Sequence, residues 1–274
     1  MCSSIIKRLI PALCACALAL TLSLPTGASG HEVTILVNGT PLAGDVSPYI
    51  RNGTAYVSLT AFAAAQGDYN ARWDGTSALV DGPSLTLRAQ PGQSWVEAND
   101  RALYVPHGVQ LNQGRTMIPI RTAAAMFGLD VAWDGRTNTV HVTGVGQPLV
   151  HADAYYDPDT MYWLARVISA ESQGEPLVGQ IAVGNVVLNR LNSPVFPNSL
   201  YEVIFQAGQF EPVANGTIYQ DPYHLSVLAA KLCLEGAQVV GDCLYFFAPA
   251  LSTGSWIVNN RTYHTTIGCH QFYL

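Results

Sequence analysis

The sequence predicts an α+β protein: a duplicated strand-helix-strand module precedes a mainly helical domain with a small β-hairpin and terminal strands. A strand, an Ala-rich helix and a second strand occur twice between residues 33 and 143. Residues 158–236 place apolar side chains at helical spacing, and two aromatic segments typical of strands end the chain. Helical and strand-rich stretches that are separated along the chain indicate the α+β class.

The first thirty residues have the pattern of an export signal. Lys7 and Arg8 precede an apolar run over residues 9–24, and the small residues 28–30 follow it. We expect cleavage after Gly30, and therefore a secreted protein. The alternative is an uncleaved anchor, but the apolar run is shorter than the ~20 residues that span a bilayer.

The expected mature chain is acidic. Loss of Lys7 and Arg8 leaves eleven basic residues against nineteen acidic ones, which is a net charge of −8. This charge argues against nucleic acid and against an anionic membrane surface as partners, because both repel an acidic protein. An anionic wall polymer would have to be recognised by close contact, since long-range attraction is absent.

Residues 31–143 form the first predicted domain. Its two copies share a strand, a helix that ends in glycine and a Trp-Asp-Gly turn: residues 53–59, Gly67 and 73–75, then residues 114–120, Gly128 and 133–135. Neither copy contains a carboxylate cluster, a nucleophile motif or metal-ligand spacing. Residues 144–159, rich in Gly, Pro, His, Asp and Tyr, indicate a linker. Residues 160–274 then form a second domain, long enough for one compact core.

The second domain contains start signals for four helices. Asp157-Pro158 should start the first helix, and the apolar residues 181–188 belong to the second. The capping box Ser199–Glu202 should start the third helix, and Asp221-Pro222 should start the fourth, which runs to Gly236. Asn215-Gly216 predicts the tight turn of a β-hairpin, because this dipeptide readily adopts two positive φ values. Strands are predicted near residues 244–247 and 264–273.

Glu171 lies where an apolar helix stripe ends. Leu164, Ile168 and Glu171 are spaced i, i+4 and i+7, so the face that should pack on the core ends in a carboxylate. The helix should stop near Gly174, which places Glu171 among unpaired carbonyl groups. Burial and these carbonyls both disfavour the charged form and should raise the pKa of Glu171. The pattern predicts a general acid, and the alternative is a solvated glutamate at a helix end.

Glu175 has the opposite surroundings. Pro176 suits the first position of the next helix, so Glu175 lies at that helix's positive end and should stay ionised. Two carboxylates with pKa values moved in opposite directions resemble the acid/base pairs of glycosidases. Glu175 is therefore a candidate substrate-site partner of Glu171, or a charge at a helix start with no role in chemistry.

Three cysteines follow residue 30. Cys233 lies among apolar helix residues and is interpreted as a core residue. Cys243 and Cys269 each border a predicted terminal strand, and we predict a disulfide between them. The alternatives are free thiols, or a zinc site shared with His264 and His270. No CxxC or HExxH spacing supports zinc, so no metal and no cofactor are expected.

The N-terminal module resembles the copper amine oxidase N-terminal-like domain. The resemblance is carried by Val37-Asn-Gly39, by the run Arg115–Arg121 and by the two Trp-Asp-Gly turns. It implies an accessory, wall-facing module with a wall or spore-coat protein as a possible partner. It does not imply copper binding or oxidase chemistry.

The second domain is similar to the SleB-type cell-wall hydrolases, the spore-cortex-lytic enzyme family. The similarity covers nearly all of residues 160–274 and is carried by the segments 170–176, 183–190, 196–198, 208–212, 244–247 and 266–268. It implies a lysozyme-like fold and a lytic transglycosylase that cleaves peptidoglycan glycan strands. A single catalytic glutamate is implied, and by motif it is Glu171.

Further substrate contacts are inferred from position. Gln209 and Phe210 lie in the loop where lysozyme-like transglycosylases place an amide that binds an N-acetyl group. Tyr245, on an aromatic strand, is a candidate for stacking on a sugar ring or for the core. Asn185 and Asn189, at i and i+4 on the second helix, either bridge neighbouring elements or reach the substrate.

The sequence therefore predicts a secreted, cell-wall- or spore-associated enzyme that degrades the glycan strands of cell wall or spore cortex. Germination, sporulation and wall turnover all remain open as its setting. One alternative is a catalytically inert wall-binding or structural protein. Another is an N-acetylmuramoyl-L-alanine amidase, for which the chain lacks a recognisable nucleophile or metal motif.

Overall fold

A computed structural model describes residues 33–274, so the export signal predicted for residues 1–30 lies outside the described residues. The segment His31–Leu274 forms one unit by its internal contacts. Within residues 33–274, every helix is too short or too polar to cross a membrane.

The strands of the described part are short, and most belong to its first half. They are β1 (Thr34–Val37), β2 (Thr40–Pro41), β3 (Tyr49–Arg51), β4 (Thr54–Ser58), β5 (Asn70–Trp73), β6 (Ala78–Asp81), β7 (Thr86–Ala89), β8 (Trp95–Ala98), β9 (Arg101–Tyr104), β10 (Gln110–Asn112), β11 (Arg115–Pro119), β12 (Asp130–Asp134), β13 (Thr139–Thr143), β14 (Tyr245–Phe247), β15 (Tyr263–Ile267) and β16 (His270–Tyr273).

The longer helices belong to the second half. The helices are α1 (Leu59–Ala64), α2 (Ile120–Met126), α3 (Ala152–Tyr155), α4 (Pro158–Ser172), α5 (Leu177–Leu191), α6 (Leu200–Phe205), α7 (Glu211–Asn215), α8 (His224–Leu234) and α9 (Ser255–Asn260), with a 3-10 turn at Thr217–Tyr219.

The predicted duplication is confirmed. Strand β4, helix α1 and strand β5 form the first copy, and β11, α2 and β12 form the second. The strands β4 and β11 pair antiparallel at the centre of a four-stranded sheet with the order β10-β11-β4-β3. The two copies therefore meet along the first strand of each.

Two further sheets complete the N-terminal module. β1 pairs parallel with β13 in a sheet of order β12-β13-β1-β2, and β5 to β9 form an antiparallel meander that begins with the last strand of the first copy. A large apolar cluster lies inside the module, with Phe62 and Phe127 in edge-to-face contact at 5.6 Å between ring centroids. The module thus has a core of its own.

The C-terminal domain packs α4 and α8 against the central helix α5. Asp157 caps α4, because its side chain accepts the N–H of Thr160 at 2.8 Å, as its position before Pro158 predicts. Helix α5 is buried on most of its surface. A Cβ at Gly184 would lie 2.6 Å from Cys233 Sγ and 2.8 Å from Ile168 Cδ1, so glycine allows the three helices to pack closely.

The predicted hairpin at Asn215-Gly216 is wrong. Residues Glu211–Asn215 form helix α7, and Gly216 ends it with a φ of +81°. A left-handed glycine closes a helix as well as it closes a hairpin, and Pro212 in the first turn favours the helix. The hairpin of this domain is formed by β15 and β16, around Gly268 and Cys269.

Helix α8 begins at His224, three residues after Asp221, where we predicted its start. The carboxylate of Asp221 instead accepts a hydrogen bond from Arg166 Nη2 at 2.7 Å. The N–H of Tyr223 donates to Ser169 Oγ at 3.1 Å. These two contacts attach the segment before α8 to helix α4.

The predicted disulfide is also wrong, since Cys233, Cys243 and Cys269 are all free. β14 pairs antiparallel with β16, and the N–H of Leu244 donates to Tyr273 O at 3.0 Å. Cys243 therefore lies near the end of β16, whereas Cys269 precedes its start. A strand of this length separates them by ~13 Å, and a disulfide requires Cα atoms within ~7 Å.

A buried ion pair joins the module to the domain. Arg101 on β9 donates from Nε and Nη2 to the carboxylate of Glu235, which follows α8, at 2.7 and 2.8 Å. Both side chains are 7% exposed. Tyr156 Oη donates to Glu235 Oε1 at 2.8 Å, and the Arg101 guanidinium lies 3.3 Å from the Tyr155 ring centroid. Ala102 packs in the apolar cluster of the C-terminal domain.

The segment that we predicted as a linker follows the surface of the N-terminal module. The Asn99 amide donates to Leu149 O at 2.7 Å, and the N–H of Ala152 donates to Asn99 O at 2.9 Å. The single helical turn α3 follows directly. These contacts place Tyr155 and Tyr156 against the Arg101–Glu235 pair.

Candidate active site

Glu171 occupies the last turn of α4 at the wall of a cleft. Leu164 and Ile168 on the same stripe are fully buried, as predicted. The next residue, Ser172, donates its hydroxyl to Ile168 O, one turn earlier in the same helix, at 2.7 Å. The helix therefore delivers one carboxyl group from the core face into the cleft.

The cleft has a volume of about 460 Å³ and a mainly polar wall. Its wall is formed by the end of α4, by α7 and the turn after it, by the loop after β14, and by the start of β16. Its charged and titratable lining residues are Arg166, Glu171, Arg190, Glu211, Asp221 and His270, and Gln209 adds an amide.

Burial raises the pKa of Glu171 to about 7. The negative charge of Glu211 contributes in the same direction, while the Arg190 guanidinium partly opposes the shift. The pKa of Glu171 is thus raised, as the sequence predicted, and burial was one of the predicted causes. The contribution of Glu211 was not predicted.

Arg190 provides the positive charge next to Glu171. Its Nε donates to Leu244 O at 2.7 Å, and its guanidinium carbon lies 4.9 and 5.1 Å from the ring centroids of Phe196 and Phe210. Nη1 is buried and has no hydrogen-bond partner within the part of the chain that the structure describes. Burial lowers the pKa of Arg190 to about 10, which still leaves the group charged at neutral pH. The hydrogen bond to Leu244 O connects the last turn of α5 to the residue before β14.

Gln209 lies on the same cleft wall as Glu171, so these two predicted site residues are brought together. The Gln209 side chain is exposed, and its amide is available to a ligand. Arg166 and Asp221 form an ion pair at 2.7 Å at another part of the wall. The cleft thus combines one protonatable carboxyl with several hydrogen-bonding groups.

Two predicted substrate contacts, Phe210 and Tyr245, pack against neighbouring side chains instead. Phe210 is 4% exposed and lies outside the cleft wall, with Arg190 and Phe246 as neighbours. Tyr245 also lies outside the cleft wall and contacts Trp256 at 5.8 Å between ring centroids.

Asn189 donates to Gly241 O at 2.7 Å and to Cys243 O at 3.0 Å, so its amide bridges α5 to the loop between α8 and β14. Asn185 does the same through Ala237 O and the N–H of Val239, at 2.7 and 2.9 Å. Of the two possibilities that the sequence left open for these residues, both amides adopt the bridging one.

Glu175 lies outside the cleft wall, next to His270. Its Oε2 accepts the N–H of Cys269 at 3.0 Å, and its Oε1 lies 3.8 Å from His270 Nδ1. The Glu175 side chain is 9% exposed. The carboxylate therefore contacts the hairpin β15–β16, and His270 stands between it and the cleft.

Sequence reasoning missed Glu211, Asp221 and His270 as cleft residues. Glu211 follows Phe210 within one of the segments that carried the family resemblance, so its position was available as a signal. Nothing in the sequence placed His270 near Glu171, because that proximity depends on how the C-terminal hairpin packs. Among residues 33–274, no three His, Cys, Asp or Glu side chains are grouped so as to hold a metal ion.

A second cavity, of about 580 Å³, lies in the N-terminal module. Its lining is mainly apolar and includes Tyr56, Ile120 and Trp133, with no acidic side chain. This cavity offers no proton donor of the carboxyl type, in contrast to the cleft that contains Glu171.

Comparison with known proteins finds family models that match two separate segments of the chain. The family model described as Cell Wall Hydrolase matches residues 174–273. The C-terminal domain belongs to the cell wall hydrolase family. Glu171 lies just before the matched segment of this hydrolase domain. A second family model, described as Copper amine oxidase N-terminal domain, matches residues 36–142 and confirms the resemblance of the N-terminal module.

Curated relatives of the hydrolase domain have the name spore cortex-lytic enzyme. The protein of Halalkalibacterium halodurans is 40% identical over 119 residues, which cover 43% of this chain and 36% of that protein. The protein of Bacillus subtilis is 41% identical over 109 residues, which cover 40% of this chain and 35% of that protein. The match thus spans little more than a third of the length of these relatives.

Two solved structures are also similar in sequence to the hydrolase domain. The catalytic domain of the germination-specific lytic transglycosylase SleB from Bacillus anthracis is 37% identical and covers 44% of this chain and 98% of that domain, with a TM-score of 0.42. The catalytic domain of the Bacillus cereus SleB protein is 36% identical, with a TM-score of 0.41.

Proposed function

We propose that this chain cleaves the glycan strands of cell-wall or spore-cortex peptidoglycan as a lytic transglycosylase, with Glu171 as general acid and base. One observation carries the proposal: a buried carboxyl group with a pKa of about 7 lines a polar cleft. Both curated relatives described above are named spore cortex-lytic enzyme. These names support the same class of substrate.

Glu171 acts twice in the reaction, first as the acid and then as the base. Protonated Glu171 donates its proton to the glycosidic oxygen, and the bond between that oxygen and the anomeric carbon of the muramyl residue breaks. The 6-hydroxyl of the same muramyl residue then bonds to the anomeric carbon, and its proton returns to the Glu171 carboxylate. The product is a 1,6-anhydro end. Neither water nor a second carboxylate takes part.

The surroundings of Glu171 suit both halves of this cycle. A pKa near 7 leaves a substantial protonated fraction for the first step, and the carboxylate remains basic enough to accept the proton in the second. Arg190 stabilises the carboxylate between the two steps. Gln209 supplies an amide for an N-acetyl group on the sugar.

Localisation follows from the same proposal. A chain that cuts peptidoglycan acts outside the cytoplasmic membrane, which requires the export signal predicted for residues 1–30. We assign residues 31–143 to an accessory module, which is a candidate binder of a wall or spore-coat protein, and residues 160–274 to catalysis. Germination, sporulation and wall turnover are equally compatible with this assignment.

The direct test compares Glu171→Gln with the wild type on purified cortex and on vegetative sacculi. We expect wild type to release fragments with anhydromuramyl ends, identified by mass spectrometry, and Glu171→Gln to lose about 10³-fold or more of this activity. The exposed Glu97→Gln in the N-terminal module is the matched control and should retain full activity. Near-normal cleavage by Glu171→Gln would refute the proposal.

A hydrolytic glycosidase is the second candidate, because Glu211 lies in the same cleft and acts electrostatically on Glu171. In that mechanism Glu211 would activate a water molecule. The products would then have reducing muramic ends, and digestion in ¹⁸O-water would incorporate the label. Under our proposal, no label enters and the Glu211→Gln variant retains cleavage.

Two other classes are distinguished by the same digestions. An inert wall-binding protein would sediment with sacculi and release no soluble fragments. An amidase would release free amino groups without new glycan ends.

A further inference from the structure

Glu175 and His270 form a pair behind the cleft wall. Glu175 Oε1 lies 3.8 Å from His270 Nδ1, which is within ion-pair distance and longer than a hydrogen bond. Each of the two side chains is 9% exposed. Nδ1 of His270 is buried and has no hydrogen-bond partner among the described residues 33–274. The carboxylate is thus the group that Nδ1 faces.

Glu175 is held firmly in this position. Its second oxygen accepts the N–H of Cys269 at 3.0 Å. Gly268, with a φ of +57°, leaves the space that Oε2 occupies, because a Cβ there would overlap this oxygen. On the other side, a Cβ at Gly179 would lie 3.0 Å from Glu175 Cβ. The hairpin and α5 therefore both fit closely around the carboxylate.

His270 connects this pair to the cleft. Its ring contributes to the cleft wall together with Glu171, and it meets Phe246 edge-on at 5.4 Å between ring centroids. Because Nδ1 is sealed and faces Glu175, Nε2 is the only polar atom that the ring can offer to the cleft. A proton on Nδ1 is attracted by the carboxylate, so Nε2 has a free lone pair while the ring is neutral.

We propose that His270 binds the glycan by accepting a hydrogen bond at Nε2 from a sugar hydroxyl or acetamido N–H, and that Glu175 is the positioning residue that fixes this tautomer. The inference rests on the proposed function for the class of ligand. It removes Glu175 from any direct role in bond cleavage. It also adds the C-terminal hairpin to the substrate site.

Binding to an uncut ligand tests the inference independently of catalysis. The probe is a purified tetrasaccharide of alternating N-acetylglucosamine and N-acetylmuramic acid, titrated calorimetrically into the Glu171→Gln variant. Addition of His270→Phe keeps the ring shape and removes both nitrogens, and it should raise Kd about five- to tenfold, as one lost hydrogen bond predicts. His264→Phe, on the exposed strand of the same hairpin, is the matched control and should leave Kd unchanged.

The tautomer tests the role of Glu175. In ¹⁵N-detected NMR, His270 of the wild type should be protonated at Nδ1. In Glu175→Gln, the amide oxygen can still accept the Cys269 N–H, and the amide nitrogen then faces Nδ1 as a donor. The proton should move to Nε2, and Kd should rise as in His270→Phe. Gly268→Ala, which displaces Glu175, should have the same effect on Kd.

The outcomes separate the two proposals. A tautomer that is the same in wild type and Glu175→Gln, or a His270→Phe variant that binds the tetrasaccharide with unchanged Kd, overturns the inference even if Glu171 is catalytic. A Glu171→Gln variant that still cleaves the polymer overturns the proposed function, while the tautomer and binding results remain valid. A fall in thermal stability without a change in Kd would also overturn the inference, since it indicates a purely structural pair.

Discussion

Arg101 and Glu235 join the two halves of the chain through paired hydrogen bonds of 2.7 and 2.8 Å, with both side chains 7% exposed. The pair lies between strand β9 of the N-terminal module and the end of helix α8. Removal of one partner from a buried ion pair leaves an uncompensated charge in the interior.

We therefore expect Arg101→Met to lower the free energy of unfolding by about 3–5 kcal/mol. Chemical denaturation of the chain lacking residues 1–30 measures this value. The control is Arg72→Met, which removes an exposed ion pair with Asp81 and should cost less than about 1 kcal/mol. Equal losses of unfolding free energy in the two variants would show that the buried pair stabilises the fold no more than an exposed ion pair does.

The pH dependence of activity should reflect Glu171. A general acid must be protonated, so kcat/KM should fall as pH rises above about 7, the pKa of Glu171. In Glu211→Gln, loss of a nearby negative charge lowers that pKa, and the falling limb should move to lower pH. Initial rates on solubilised glycan between pH 5 and 9 measure the shift. If the falling limb of the pH profile stays at the same pH in Glu211→Gln, the electrostatic effect of Glu211 on Glu171 is contradicted.

The same carboxyl should reduce stability at alkaline pH. Its pKa is raised from 4.5 to about 7 in the folded state, so the stabilisation is complete below pH 4.5 and is lost as pH rises through 7. Glu171→Gln cannot ionise at this position. Relative to that variant, the wild type should lose about 2–3 kcal/mol between pH 4.5 and pH 8. A stability difference that is independent of pH would place the carboxyl in water.

The cysteines should react at unequal rates. Cys269 is exposed, whereas Cys233 and Cys243 are buried, and burial raises the pKa of the Cys243 thiol to about 11. A thiol reagent at neutral pH should label Cys269 first. Mass spectrometry of the modified peptides identifies the labelled cysteine. Reductant should leave activity and melting temperature unchanged. A Cys243–Cys269 crosslink in the isolated protein would contradict the strand geometry.

Local patterns in the sequence predicted the central feature of the site. The spacing of Leu164, Ile168 and Glu171 placed a carboxyl at the end of a buried stripe, and Asp157-Pro158 marked the start of that helix. These predictions succeeded because helix periodicity and capping depend on residues within one or two turns.

Features that depend on tertiary packing were missed or predicted wrongly. Asn215-Gly216 favours a left-handed backbone, but whether that backbone closes a hairpin or a helix is decided by its neighbours. The cysteine pairing failed because strand direction, which is absent from the sequence pattern, put Cys243 and Cys269 at opposite ends of β16. The cleft positions of Glu211 and His270 depend on contacts between distant segments.

The buried join between module and domain affects how such an enzyme would move through a polymer network. Two domains on a flexible tether can pass through a narrow mesh one after the other. A chain joined through Arg101 and Glu235 has to enter as one body, so the pore size of a cross-linked wall would determine how deep it penetrates. Digestion would then begin where the pores of the cross-linked wall are largest, and it would advance as each cut enlarges them.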